Sequence, residues 1–160
     1  MHKLFLLLCF LSFGGVLFGQ KDKSEGFDRE EMLLRVNEAR MIKRRCGGKK
    51  QEAVPPLEWD KRLAQAAQKH ADDMADNDFF DHVGSGNSTV VIRVEREGYL
   101  WQTVGENIAM GPRSVAEVVK GWLESPGHCS NIMNGDFTQM GAARSHDGKY
   151  WVQVFGAPRP

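Results

Sequence analysis

Between Asp60 and Met74 the sequence carries one continuous apolar stripe at helical spacing. Leu63, Ala66, Ala67, His70, Ala71 and Met74 fall at i, i+3, i+4, i+7, i+8 and i+11. No other segment restricts the fold as strongly. Half of the stripe is alanine, so the element that covers this face must come close to the helix backbone. A stripe this wide has to be buried against a second layer. Asp60 stands where an N-cap belongs. His70 lies on the stripe and reads as a partly buried ring with one hydrogen bond rather than as a ligand.

The other elements follow from weaker signals. Asp28 caps a predicted helix running to about Arg45, with Met32, Val36 and Ala39 at helical spacing and Leu33 beside them. Cys46-Gly47-Gly48 stops it, and residues 49–58 read as a loop ending in Pro55-Pro56-Leu57-Glu58. Residues 76–89 hold Phe79, Phe80, His82 and a Gly/Ser/Asn loop. In that loop Asn87-Ser88-Thr89 fits a glycosylation pattern, which matters only in a eukaryotic host. Residues 89–97 are ambiguous, strand-like in Thr-Val-Val-Ile-Arg-Val and helix-like in Glu95-Arg96-Glu97. Thr103 to Met110 reads as a strand. Ser114 with Glu117 forms a capping box for a helix that points Val115, Val118, Val119, Trp122 and Leu123 inward and ends at Ser125-Pro126-Gly127. Phe137 to Arg144 and Tyr150 to Phe155 read as two strands joined by a turn at Asp147-Gly148. Helices lead and most strands come late, so the class is α+β with an antiparallel sheet packed by helices, within one domain of a 160-residue chain.

The N-terminus differs in kind. Met1-His2-Lys3 is positive, and Leu4 to Phe18 is apolar apart from Ser12 and Gly14-Gly15. That run is shorter than the roughly 20 residues needed to span a bilayer and fits the apolar core of a signal peptide. Residues 1–19 are therefore assigned as a signal peptide cleaved after Gly19, and 20–28 as a polar linker. Lipoprotein attachment at Cys9 and a retained signal anchor are the rival readings. The assignment implies export to the medium or periplasm with no stable transmembrane anchor. It leaves Cys46 and Cys129, an even count in an oxidising compartment, which suggests one disulfide between them. Two independent thiols, or a catalytic Cys129 beside His128, are the alternatives. The formal net charge is zero, which disfavours sequence-independent nucleic-acid binding.

Four side chains are the candidates for chemistry: His82, Glu106, Glu124 and His128. Each lies near the end of a predicted element, flanked by Gly, Asn or Pro. Two imidazoles with two carboxylates suit a zinc site with an oriented water, or acid and base groups around a carbonyl or ester. Four unconnected hydrogen-bonded residues would look the same by spacing alone. No H-E-x-x-H run, zinc-finger cysteine spacing, phosphate loop or G-x-S-x-G elbow is present.

Taken in order, the motifs resemble the CAP family (the cysteine-rich secretory, antigen 5 and PR-1 proteins). Asn37-Glu38-Ala39-Arg40 is similar to the N-x-x-R signature of its first helix. Pro56-Leu57-Glu58-Trp59-Asp60 with Leu63-Ala64 and Ala67 resembles the entry to its second helix. Phe80-Asp81-His82 is similar to F-x-H, and Gly105-Glu106-Asn107-Ile108 to G-E-N-(I/L). Trp122, Ser125-Pro126-Gly127-His128-Cys129 and Asn131-Ile132 resemble the W-x-x-S-x-G-H-x-x-N-(I/L) segment. Gly141 and Tyr150 to Gly156 resemble the closing hairpin. Cys46-Gly47-Gly48 together with Gly127-His128-Cys129 looks like the bacterial form of the domain.

The resemblance implies a CAP domain over 29–157, built as a three-layer α-β-α sandwich with a small antiparallel sheet. It implies that His82, Glu106, Glu124 and His128 form the cleft tetrad. In some members the two positions matching His82 and His128 hold a divalent metal, often zinc. It leaves three functions open. The first is a binding module for a lipid, sterol-like or protein ligand. The second is a metal-dependent hydrolase with Glu106 or Glu124 as base, and the third a structural protein of the cell envelope. An enzyme ranks last among them, because no nucleophile motif is present.

Overall fold

The helix that the stripe predicts is α2, Lys61–Asp76, in a computed structural model that describes residues 26–160. The signal peptide over 1–19, Cys9 and the linker up to residue 25 lie outside the described residues. Asp60 caps α2, its carboxylate accepting from the amides of Arg62 and Leu63. All six stripe residues are buried, and His70 is buried completely rather than partly.

α2 covers one face of a four-stranded sheet in the order β3-β5-β6-β4, with β3 Glu58–Trp59, β4 Trp101–Met110, β5 Gln139–Arg144 and β6 Tyr150–Pro158. The alternation along β6 separates two cores. Tyr150, Val152 and Val154 pack with Leu63, Ala66, Ala67, Ala71 and Met74. Trp151 and Phe155 point the other way. They pack with Met32 and Val36 of α1 (Arg29–Arg40), Val118 and Trp122 of α4 (Val115–Glu124), and Ile132 of α5 (Pro126–Ile132). Helices therefore cover both faces of the sheet, in the three layers the resemblance implies. The alanines do what the stripe requires of them. A Cβ built on Gly141 of β5 would lie 2.1 Å from the backbone nitrogen of Ala64, so strand and helix backbones meet where only glycine fits.

Several boundaries differ from the sequence reading. α1 ends at Arg40, with Met41 as its C-cap donating to the Asn37 carbonyl, and Ile42, three residues after Ala39, is exposed rather than carried on the buried stripe. The segment expected as helix end and loop instead forms a two-stranded hairpin, β1 Arg44–Cys46 and β2 Lys49–Gln51, turned by Gly47 at φ +60°. The sheet is not wholly antiparallel, since the short β3 runs parallel to β5. Residues Val90–Arg96 are helix α3, despite their β-branched composition, because Thr89 caps them and Val94 is buried against α2's core. Ser125-Pro126-Gly127 does end α4, but Pro126 also opens α5, in the first-turn position that tolerates its missing amide. The Asp147-Gly148 turn joins β5 and β6 as expected, with Gly148 at φ +74°.

The disulfide joins Cys46 to Cys129, with Cα atoms 5.3 Å apart. It fastens the β1–β2 hairpin to α5.

Candidate functional site

Glu106 is the hub of the site. It lies mid-strand on β4, and Asn107, the next residue, faces the opposite layer. The Glu106 carboxylate is buried and bound on both oxygens. Arg93 of α3 donates from Nη2 to Oε2 at 2.6 Å, and His82 donates from Nδ1 to Oε1 at 2.8 Å. A carboxylate only accepts, so this bond places a proton on Nδ1 of His82. Nε2 is then left without a partner among the described residues. Arg93 also grips the carbonyls of His82 and Ser88, which holds the His82 loop against α3. The ring of His82 is 56% exposed and lines a cleft of about 290 Å³ with Phe80, Asp81, Ile108 and His128.

His128 reaches the same cleft from α5, on the other side of β4. Its helix is held there by amides. Asn131 donates to the Glu106 carbonyl at 3.1 Å and to Asn107 Oδ1 at 2.9 Å. Asn107 in turn donates to the His128 carbonyl at 3.2 Å and to Gln153 at 3.1 Å. The G-E-N and G-H-x-x-N segments thus act as one unit: each supplies a cleft residue and an asparagine that locks the other segment in place.

Glu124 stands apart. Its side chain is 66% exposed, lies 3.8 Å from Lys120 Nζ, and lines a separate groove with Arg35, Glu38, Ile42 and Arg44. The structure thus brings three of the four candidates together and places Glu124 on another face. Two functional neighbours escape the sequence reading. Arg93, which anchors Glu106, is a lone cation inside the apolar run Val90 to Val94, and that isolation was the available signal. His70 lies beneath the site, its Nε2 donating to the Asp81 carbonyl at 2.9 Å and standing 4.0 Å from Glu106 Oε1. Its Nδ1 is buried without a partner among the described residues; the sequence reading expected its single hydrogen bond but not its place beneath Glu106.

The three histidines have different electrostatics. The hydrogen bond to Glu106 raises the His82 pKa above its ordinary 6.5, against the opposing effect of burial. Burial lowers His70, and burial with the neighbouring charge of His82 lowers His128. The signs of the stability effects follow by linkage. Protonated His82 stabilises the fold below its unfolded value, and this contribution fades as pH rises through its raised folded value. His70 and His128 act oppositely: the unfolded chain takes up their protons first, so they cost stability as pH falls below about 6.5. Among these three rings, NMR titration of the metal-free protein should give the highest pKa to His82, and Glu106→Gln should bring it down. A His82 value at or below that of His128 would contradict this arrangement.

Among the described residues no three His, Cys, Asp or Glu side chains converge as a metal-holding group. The donor set is two imidazoles, with the carboxylate held one bond behind His82. That set fits an open site completed by water or ligand, not a closed four-ligand structural site. Nor is any described helix long and apolar enough to cross a membrane.

Comparisons with known proteins agree with this architecture. The description of the cysteine-rich secretory protein family (CAP) matches residues 33–155. An uncharacterized Bacillus subtilis protein, YkwD, is 35% identical over 107 residues, covering 67% of this chain and 42% of its own length. A crystal structure of an extracellular Bacillus anthracis protein containing an SCP domain is 36% identical with a TM-score of 0.61, over 64% of this chain and 34% of that one. An outer surface protein of Borrelia burgdorferi shares the fold, with a TM-score of 0.65 at 22% identity over 86% of this chain and 96% of its own. The chain thus spans less than half the length of each of these two Bacillus proteins.

Proposed function

The chain belongs to the cysteine-rich secretory protein (CAP) family, and from that premise we propose that it is an exported binding module whose ligand enters the cleft between His82 and His128. The observation that carries this reading is the Arg93–Glu106–His82 chain. It fixes one imidazole by its Nδ1 and leaves Nε2 unengaged beside a second imidazole. Carboxylate-backed histidine is the usual arrangement behind a metal-binding ring nitrogen. His82 and His128 would hold a divalent ion, zinc by the softness of the donors, and the ion would supply a Lewis-acid point for an oxygen or nitrogen of the ligand. Phe80 and Ile108 give the cleft an apolar wall suited to a lipid-like or peptide side chain. The five residues lining the cleft include no serine, threonine or cysteine, so no hydroxyl or thiol nucleophile stands among them. An exported protein accords with the extracellular and outer-surface relatives, and with the disulfide.

Native mass spectrometry with and without zinc tests the reading, with the His82→Ala/His128→Ala variant alongside. One zinc per parent chain, lost in a folded variant, is the expected result. Zinc retained by the variant would place the metal elsewhere. No zinc and no co-purified ligand in the parent would leave the cleft a purely structural feature.

A further inference from the structure

Away from the cleft, the β1–β2 hairpin concentrates charge in a chain whose formal net charge is zero. Residues 43–52 hold Lys43, Arg44, Arg45, Lys49 and Lys50 against one carboxylate, Glu52. The register places Arg45 directly opposite Lys50. Like charges paired across two strands destabilise a hairpin, and a two-stranded hairpin is marginal to begin with. This one is held from outside. Cys46 is bonded to Cys129, and Gly47 rests on α5, where a Cβ would come within 3.0 Å of Pro126. The fold thus clamps in place an element whose own charges oppose it.

Little within the protein answers those charges. Lys43 pairs with Glu52 at 2.7 Å, but both side chains are more than 70% exposed, a pairing of small value in water. Arg45 donates to the Gly48 carbonyl, and Arg44 to that of Ala39. Lys49 and Lys50 make no ion pair among the described residues. Immediately before the strand, Met41 and Ile42 are 58% and 59% exposed. Ile42 shares a groove with the cations Arg35, Arg44 and Lys120 and the carboxylates Glu38 and Glu124. Cations alone would suit any polyanion. Cations beside exposed apolar side chains suit a partner with a negative surface and an apolar interior just beneath it.

We propose that the disulfide-clamped β1–β2 hairpin, with Met41 and Ile42 at its base, docks the protein on a bilayer of anionic lipid. Arg45, Lys49 and Lys50 meet the headgroups. Met41 and Ile42 enter the boundary below them.

Co-sedimentation of the disulfide-bonded protein tests this, using vesicles of phosphatidylcholine with or without about a third phosphatidylglycerol. The parent should pellet only with the anionic vesicles. Arg45→Gln/Lys49→Gln/Lys50→Gln should lower its affinity at least about tenfold at low salt. Its melting temperature should not fall, because a repulsive pair has been removed. Met41→Ser/Ile42→Ser should weaken binding severalfold even at physiological salt. Equal binding to both vesicle types, or full binding by the triple variant, would overturn the proposal. So would full vesicle binding by the Met41/Ile42 variant, which would make the hairpin a site for soluble polyanions.

Discussion

Replacing Arg40 by methionine should cost about 3–5 kcal/mol of unfolding free energy, although no ligand comes near it. The guanidinium is completely buried and has no carboxylate partner among the described residues. It meets four carbonyls instead: Pro55 at 2.7 Å, Ile132 at 2.7 Å, Asn134 at 2.9 Å and Phe137 at 3.2 Å. Burial lowers its pKa to about 10, so it keeps its charge at neutral pH. Two of the acceptors lie at and just beyond the C-terminus of α5, where helix carbonyls lack partners and the helix dipole favours a cation. Methionine fills the space but answers none of the carbonyls, and those of Ile132 and Phe137 would remain buried and unpaired. Lysine keeps the charge without the planar fork and should recover part of the loss. Urea unfolding of the three proteins decides the matter. A loss under about 1 kcal/mol for Arg40→Met would mean that water replaces the guanidinium and that the network is incidental.

That arginine belongs to Asn37-Glu38-Ala39-Arg40, a run that the sequence marks by resemblance without saying what it does. The structure gives it a physical role. Asn37 exchanges two hydrogen bonds with the backbone of Leu57, and Arg40 closes the end of the helix that carries His128. Conspicuous motif residues thus build the scaffold behind the cleft as often as the cleft itself.

What was legible in the sequence tracks how local the determining force is. α2 could be read directly because its stripe, its alanines and its cap all lie within one short segment. α3 could not, because its β-branched residues favour a strand locally, and the opposing contributions come from the Thr89 cap and from burial of Val94 under a distant helix. The β1–β2 hairpin did have a local signal in its two-residue Gly47-Gly48 loop, but the charged three-residue strands beside it show no apolar alternation, and the clamp on it comes from Cys129. The site divides in the same way. His82, Glu106 and His128 were recoverable from motif order. Arg93 and His70 join them only through tertiary contact, while Glu124 follows α4 onto another face.

Reducing the Cys46–Cys129 bond should cost about 2–5 kcal/mol, a fall in melting temperature of roughly 6–20 °C. The bond closes a loop of 83 residues in sequence separation, and freeing that loop gives the unfolded chain about 4–5 kcal/mol of conformational entropy on the chain-entropy account. Reduction is the cleaner test. Both sulfurs are buried, so alanine replacements would also remove core atoms and add a cavity loss to the entropic one. The loss should also have a location. The bond joins the hairpin to α5 within the core shared by α1, α4 and α5, whereas α2 packs into the core on the opposite face of the sheet. Amide exchange should therefore accelerate first in residues 44–51 and 126–132 and last in α2. Because His128 precedes Cys129, the cleft should lose order in step with α5, and the zinc uptake proposed for it should weaken before the fold as a whole gives way. A reduced protein melting within about 2 °C of the oxidised one, with uniform exchange, would show that Arg40 and the Asn107–Asn131 amides hold α5 without the bond.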